Sequence, residues 1–153
     1  MIVFRLSKSK HSKDLSGKGA EKFGGRWNSK GVALLYTSDS RALCTTEIAV
    51  HTPLGNIPFD YEIILIKIPD NIIIPELEVS ELPKDWKSIP HSHSTQEIGD
   101  EFVDEGKFLA IKVPSAVVQG EFNYLINPDH ADFKSISIEK IEPFSFDERL
   151  FMR

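Results

Sequence analysis

Glu47 is a carboxylate set where a charge is costly. At helical spacing it shares a face with Leu43, one turn before it, and Val50, one turn after it, so it points along an apolar side. An unpaired buried carboxylate is strongly disfavoured, so such a residue must border a cleft, meet a cationic or hydrogen-bonding partner, or snorkel to solvent at a boundary position. His51 lies one turn further along the same face, where it can bond to Glu47 or to a ligand, or stand as an ordinary helix-end histidine. The second candidate is the run Phe23-Gly24-Gly25-Arg26-Trp27-Asn28-Ser29-Lys30-Gly31. Paired glycines permit positive φ and close approach of a ligand, and Arg26 offers a planar fork of donors that matches a pyrophosphate. The same residues also fit a glycine turn with an exposed arginine and a tryptophan that pins the loop.

The remaining polar positions are less telling. Ser115 follows Pro114 at a strand end, where a hydroxyl can touch a ligand or its own turn. It lacks the strand-to-helix elbow of a hydrolase nucleophile. Asn123 and Tyr124 suit either a polar cleft or strand-end packing. His91 and His93 form a lone His-x-His without a third ligand at credible spacing, so no metal site is expected. Glu97, Asp100 and Glu101 read as a solvated helix face. Gly24-Gly25 matches neither the dinucleotide fingerprint nor the phosphate loop ending in Gly-Lys-Ser/Thr.

The elements that must carry these residues follow from periodicity. Strands are expected at 2–6, 32–37, 61–68, 72–74, 108–113, 123–126 and 133–141. Helices are expected from Ser38 or Asp39 to His51, barred from continuing by Pro53, and over 95–103. Residues 7–25 read as a long loop, alternatively with a short helix over 15–20, and loops of that length usually serve a function. Strands predominate and do not alternate with helices, which points to an α+β fold with antiparallel pairing.

Bulk properties set the outer limits. A chain of 153 residues, 41% apolar, suits one domain over 1–153. A net charge of −5 and a pI near 5.5 argue against direct nucleic-acid binding. No apolar run spans a bilayer and no signal-peptide pattern is seen, so a cytoplasmic protein without a membrane partner is expected. Cys44, the single cysteine, reads as a small buried hydrophobe.

Several motifs occur in an order that resembles the RES domain family. They are Leu15-Ser16-Gly17-x-Gly19-Ala20, Gly24-Gly25-Arg26-Trp27-Asn28-x-x-Gly31, Tyr36-x-Ser38 and Ala42-Leu43-x-x-x-Glu47, then Leu82-Pro83-x-x-Trp86 and Ile98-Gly99-Asp100. Val113-Pro114-Ser115-Ala116-Val117-Val118, Asn123-Tyr124-Leu125-x-Asn127-Pro128-x-His130 and Pro143-Phe144-x-Phe146-Asp147-x-Arg149-Leu150 continue the series. The arginine, glutamate and serine that name the family fall on Arg26, Glu47 and Ser115. Gln119-Gly120 and Ala131 depart from the pattern, in the loop after Ser115 and near the end of the next strand.

The resemblance implies an ADP-ribosyltransferase-like fold with a mixed or antiparallel sheet core around an NAD cleft. It implies a toxin of a type II toxin-antitoxin pair that cleaves NAD between nicotinamide and ribose, with water, phosphate or a protein as acceptor. NAD is then substrate, and no cofactor is expected. The implied catalytic residues are Arg26, on the pyrophosphate, and Glu47, stabilising the cationic ribosyl centre. Tyr36 would orient the nicotinamide ribose, Ser115 and Asn123 would hold the nicotinamide amide, and Arg5 and His51 would add substrate contacts. The implied partner is an Xre-like helix-turn-helix antitoxin, with room for a toxin homodimer inside the complex. A domain that only binds a nucleotide or a protein is the contrasting reading.

Overall fold

The computed structural model describes residues 1–152. Its centre is one six-stranded sheet in the order β4-β5-β2-β1-β3-β6. The strands are β1 (Ile2–Lys8), β2 (Leu35–Ser38), β3 (Tyr61–Lys67), β4 (Ala110–Pro114), β5 (Phe122–Ile126) and β6 (Ser137–Phe144). All named pairings are antiparallel, the second of the two core arrangements expected. β1 and β3 pair along their whole length, from Ile2↔Lys67 to Lys8↔Tyr61, whereas β1 and β2 meet only at Phe4↔Ser38. The sheet is therefore two wings joined at a narrow seam.

Strand alternation explains how the two faces are covered. On one face Val3, Leu35, Ile64, Ile66, Tyr124 and Ile126 form a continuous buried cluster. The other face is divided. Leu34, Ile111, Val113 and Leu125 pack with Trp27, Trp86 and Phe102 on one wing, and Leu6, Cys44 and Ile63 pack with Phe146 and Phe151 on the other. The Phe146 ring meets Tyr61, Phe144 and Phe151 edge to face at 5.3, 5.0 and 5.6 Å, a favourable aromatic geometry.

Three α-helices complete the domain: α1 (Lys18–Phe23), α2 (Arg41–His51) and α3 (His93–Glu105). α2 packs on β1 and β2, over the seam. Its N-cap is Ser40, whose hydroxyl accepts from the Leu43 amide, rather than Ser38 or Asp39; those two lie at the strand end and the turn before it. α3 is capped by Ser92 and stops at Gly106, which takes the left-handed φ of 58°.

Other expectations shift with tertiary contacts. Residues 72–74 are not a strand: Ile72 and Ile74 pack on the core as irregular chain, and nearby pairing is limited to one bridge, Glu76↔Lys112. The strand expected over 133–141 starts later, because Ala131–Ser135 winds into a 3-10 turn capped by His130. The loop over 7–25 holds a 3-10 turn, Ser9–His11, and α1, which overlaps the alternative helix over 15–20 and is shifted three residues toward the C-terminus.

Candidate active site

Glu47 is half-buried on α2, with Leu43 beneath it in the core. Val50, by contrast, is 56% exposed, so the face shared by the two residues runs from the core to a rim and Glu47 stands where it emerges. Both partners of the carboxylate come from β4–β5. The Ser115 hydroxyl donates to Oε1 at 3.0 Å and the Asn123 amide donates to the same oxygen at 2.8 Å. Asn123 is itself oriented by Ser38, whose hydroxyl donates to Oδ1 at 2.7 Å. Ser115 also accepts from the amides of Val117 and Val118 at 3.1 and 3.0 Å, so its single proton and both lone pairs are in use. The hydroxyl thus serves Glu47 and the following turn. Oε2 of Glu47 takes no such bond among the described residues, which leaves one oxygen of a held carboxylate unpaired by them.

Arg26 comes from the opposite kind of structure. It sits in a tight turn closed by Gly25 N to Asn28 O at 2.9 Å, between α1 and β2. One guanidinium nitrogen, Nη1, donates to the carbonyls of Trp86 and Ser88 at 2.8 and 3.1 Å. Nη2 and Nε make no hydrogen bond among the described residues. Partial burial pulls the guanidinium below its ordinary pKa, and the charge of Glu47 offsets this. Arg26 and Glu47 are therefore close enough to feel each other, yet no ion pair joins them among the described residues.

Tyr36 links the turn to the sheet. Its hydroxyl accepts from the Trp27 amide at 3.0 Å and donates to Asn28 Oδ1 at 2.6 Å, and burial pushes the phenol strongly upward, so it stays neutral. Asn28, fully buried, spends its amide on the carbonyls of Ala20, Ser29 and Val32. Tyr36 also lines a cleft of about 140 Å³ with Arg5, Asp14, Gly17, Lys18 and Leu34. Arg5 Nη1 is buried there without a hydrogen-bond partner, and burial lowers its pKa against the opposing pull of Asp14. Gly17 has φ of 71°, and a side chain on it would press within 2.8 Å of the Leu34 amide. Arg5 and Tyr36 thus stand beside one cleft, and Tyr36 connects it to Arg26.

His51 is exposed at the end of α2 and makes no hydrogen bond to Glu47. Its neighbour is His91, which burial, Arg26 and then His51 and His93 hold below the usual imidazole pKa. Spacing offered His91 only as half of a lone His-x-His, and the residue lies far along the chain in an irregular segment. Asp100 is a residue near the site that spacing did not mark: it is half-buried and accepts from the Ser29 amide at 2.9 Å, unlike the exposed Glu97 and Glu101 with which it was grouped. Among the described residues no cluster of three or more His, Cys, Asp or Glu is placed to hold a metal. Among the described residues no helix is long and apolar enough to cross a membrane. Cys44 is buried, and burial pushes its thiol up to about 11.

Fold and site together define an α+β protein with one antiparallel sheet, a helix-borne carboxylate held by the β4–β5 hairpin and a loop-borne arginine held by backbone carbonyls. The RES domain description matches residues 2–147, and the chain belongs to that family. Among its relatives is the Toxin Res of Photorhabdus laumondii subsp. laumondii, 37% identical over 152 residues, covering 98% of this chain and 97% of that protein. The Prs ADP-ribosylating toxin of Sphingobium sp. is 36% identical over 143 residues, covering 92% and 88% respectively. Both relatives are named as toxins, and the Sphingobium one as ADP-ribosylating. The toxin in the M. tuberculosis MbcT-MbcA toxin-antitoxin complex shares the fold, with a TM-score of 0.74 over 98% of this chain and 86% of that one, at 20% identity.

Proposed function

We propose that this chain is the toxin of a toxin-antitoxin pair and that it cleaves NAD at the bond between nicotinamide and ribose. The observation that carries the reading is the Glu47 carboxylate, fixed through one oxygen by Ser115 and Asn123, with its other oxygen free and Arg26 nearby but unpaired with it. When the bond from ribose C1′ to the nicotinamide nitrogen breaks, its electron pair leaves with nicotinamide, which departs neutral. The ribosyl centre becomes an oxocarbenium cation. A preorganised carboxylate stabilises that charge without having to reorganise as it forms. Water then adds to C1′ and loses a proton, giving ADP-ribose; phosphate adding instead gives the 1″-phosphate.

Arg26 holds the pyrophosphate through Nη2 and Nε while Nη1 stays on the Trp86 and Ser88 carbonyls. Arg5, with its buried unpartnered nitrogen, supplies a second cation to the same substrate, and Tyr36 borders the ribose between the two. Ser115 and Asn123 work through Glu47. His51 stands at the rim as a further substrate contact. The partner is an Xre-like helix-turn-helix antitoxin that covers the cleft and carries the DNA-binding role, in a complex that can hold a toxin dimer. The fold shared with the MbcT-MbcA complex supports such a partner.

A second acceptor has specific support: the Sphingobium relative is named for ADP-ribosylating Prs, so a protein side chain can take the place of water. Production of this chain alone should arrest growth, with cellular NAD falling before viability. Mass spectrometry of purified protein with NAD, with and without phosphate, identifies the acceptor. Arrest with unchanged NAD selects the protein-modifying reading, and normal growth with ample soluble protein removes the toxin reading.

A further inference from the structure

The turn that carries Arg26 has no regular structure of its own, yet its backbone is tied down on every side. Gln96, buried in α3 at 9% exposure, points its amide nitrogen at the two carbonyls that flank Arg26 and Trp27: Nε2 donates to Gly25 O at 3.0 Å and to Asn28 O at 3.1 Å. The amide orientation is set by His93, whose Nδ1 lies 3.1 Å from Gln96 Oε1. Three residues on, Gly99 lets α3 approach so closely that a Cβ there would fall 1.6 Å from the Trp27 carbonyl oxygen. One position later Asp100 takes the Ser29 amide, while Tyr36 takes the Trp27 amide from the sheet side.

Position 96 thus requires a side chain with two donors on one atom, of a length that spans from helix to turn. An apolar residue would take from the Gly25 carbonyl its Gln96 donor and leave the Asn28 carbonyl with the Gly25 amide alone, and a carboxylate would confront both carbonyls with negative charge. We propose that Gln96 is a positioning residue for Arg26, holding the Gly25–Asn28 turn in the register that presents the guanidinium to the substrate's pyrophosphate. This rests on the pyrophosphate role given to Arg26 above. Gln96 touches no substrate; it acts through the backbone on either side of Arg26.

The test is a double-mutant cycle with Gln96→Met, which keeps the volume, and Gln96→Glu, which keeps the shape, each made with Arg26 intact and with Arg26→Ala. NAD kcat and KM and thermal unfolding are measured on every variant. With Arg26 present, the expected outcome is a KM for NAD raised about tenfold or more with kcat within about threefold, the scale of losing a buried hydrogen-bond pair. With Arg26→Ala, the same changes at 96 should lower the melting temperature but leave kcat/KM unchanged. A merely structural Gln96 gives another pattern: lower stability with kcat/KM per folded molecule intact, or equal losses in both backgrounds, and either overturns the proposal. Should the wild-type protein show no NAD turnover, the NAD reading falls, and the same cycle is read on growth arrest. Coupling between 96 and 26 there upholds the positioning role, and additivity overturns it.

Discussion

Glu47 and Arg26 are placed near one another by opposite kinds of structure. Glu47 rides on α2, a capped helix seated across β1 and β2, and its carboxylate is held by side chains from β4–β5 and the turn after β4. Arg26 rides on an irregular turn whose backbone is held by side chains from α3 and β2, and whose guanidinium is held by backbone carbonyls at 86 and 88. On the first side the scaffold is regular and the reactive group is adjusted by side chains. On the second, side chains stand in for a scaffold. A loop can be made as definite as a helix when each of its buried polar groups has a partner, and the number of distant residues required is the cost of doing so.

That contrast can be broken at several points. The largest effect should come from Glu47→Gln. Glutamine keeps an acceptor for Ser115 and Asn123, so folding and NAD affinity should change little, while kcat falls about 100- to 1000-fold, as expected for loss of one preorganised charge. Turnover close to wild type in a folded variant would remove Glu47 from the mechanism. Arg26→Lys should follow, with kcat/KM lower by about 10- to 100-fold and mostly through KM, because an ammonium cannot reach the carbonyls of Trp86 and Ser88 and also present a fork to a pyrophosphate. Full activity in that variant would mean that charge alone suffices on the loop side.

A smaller loss is expected from Ser115→Ala. It strips Glu47 of one of its two donors and leaves the amides of Val117 and Val118 without their acceptor, which should destabilise the protein by about 1–3 kcal/mol and lower kcat about tenfold. Unfolding and turnover measured together check both parts. A stability loss with unchanged kcat would show that Asn123 alone suffices to hold the carboxylate.

Much of the first half of the site was legible from local pattern. The spacing of Leu43, Glu47 and Val50 placed a carboxylate at a helix boundary, and Pro53 marked where that helix could no longer run. The partners were not legible. Ser115 and Asn123 lie 68 and 76 residues away in the chain, and either residue type fits a strand end without any role. The motif resemblance marked Arg26 for the pyrophosphate and Ser115 for the nicotinamide amide, but not the bonds that join Ser115 to Glu47 and to the amides of Val117 and Val118.

What the amino-acid order determined by itself is what depends on near neighbours: the strand and helix periods, the proline stop of α2, the glycines of the Arg26 turn, and the family motifs that run through the chain. What only the tertiary structure decided depends on burial and on bonds between distant residues. It turned 72–74 from strand to packed irregular chain, set Asp100 apart from Glu97 and Glu101, and made Gln96 the tie of the Arg26 turn. The reason is the same in each case. Local propensities differ by about 1 kcal/mol or less per residue, whereas leaving a buried polar group without a partner costs about 1–3 kcal/mol, so the pairing of buried groups overrides local preference wherever they meet.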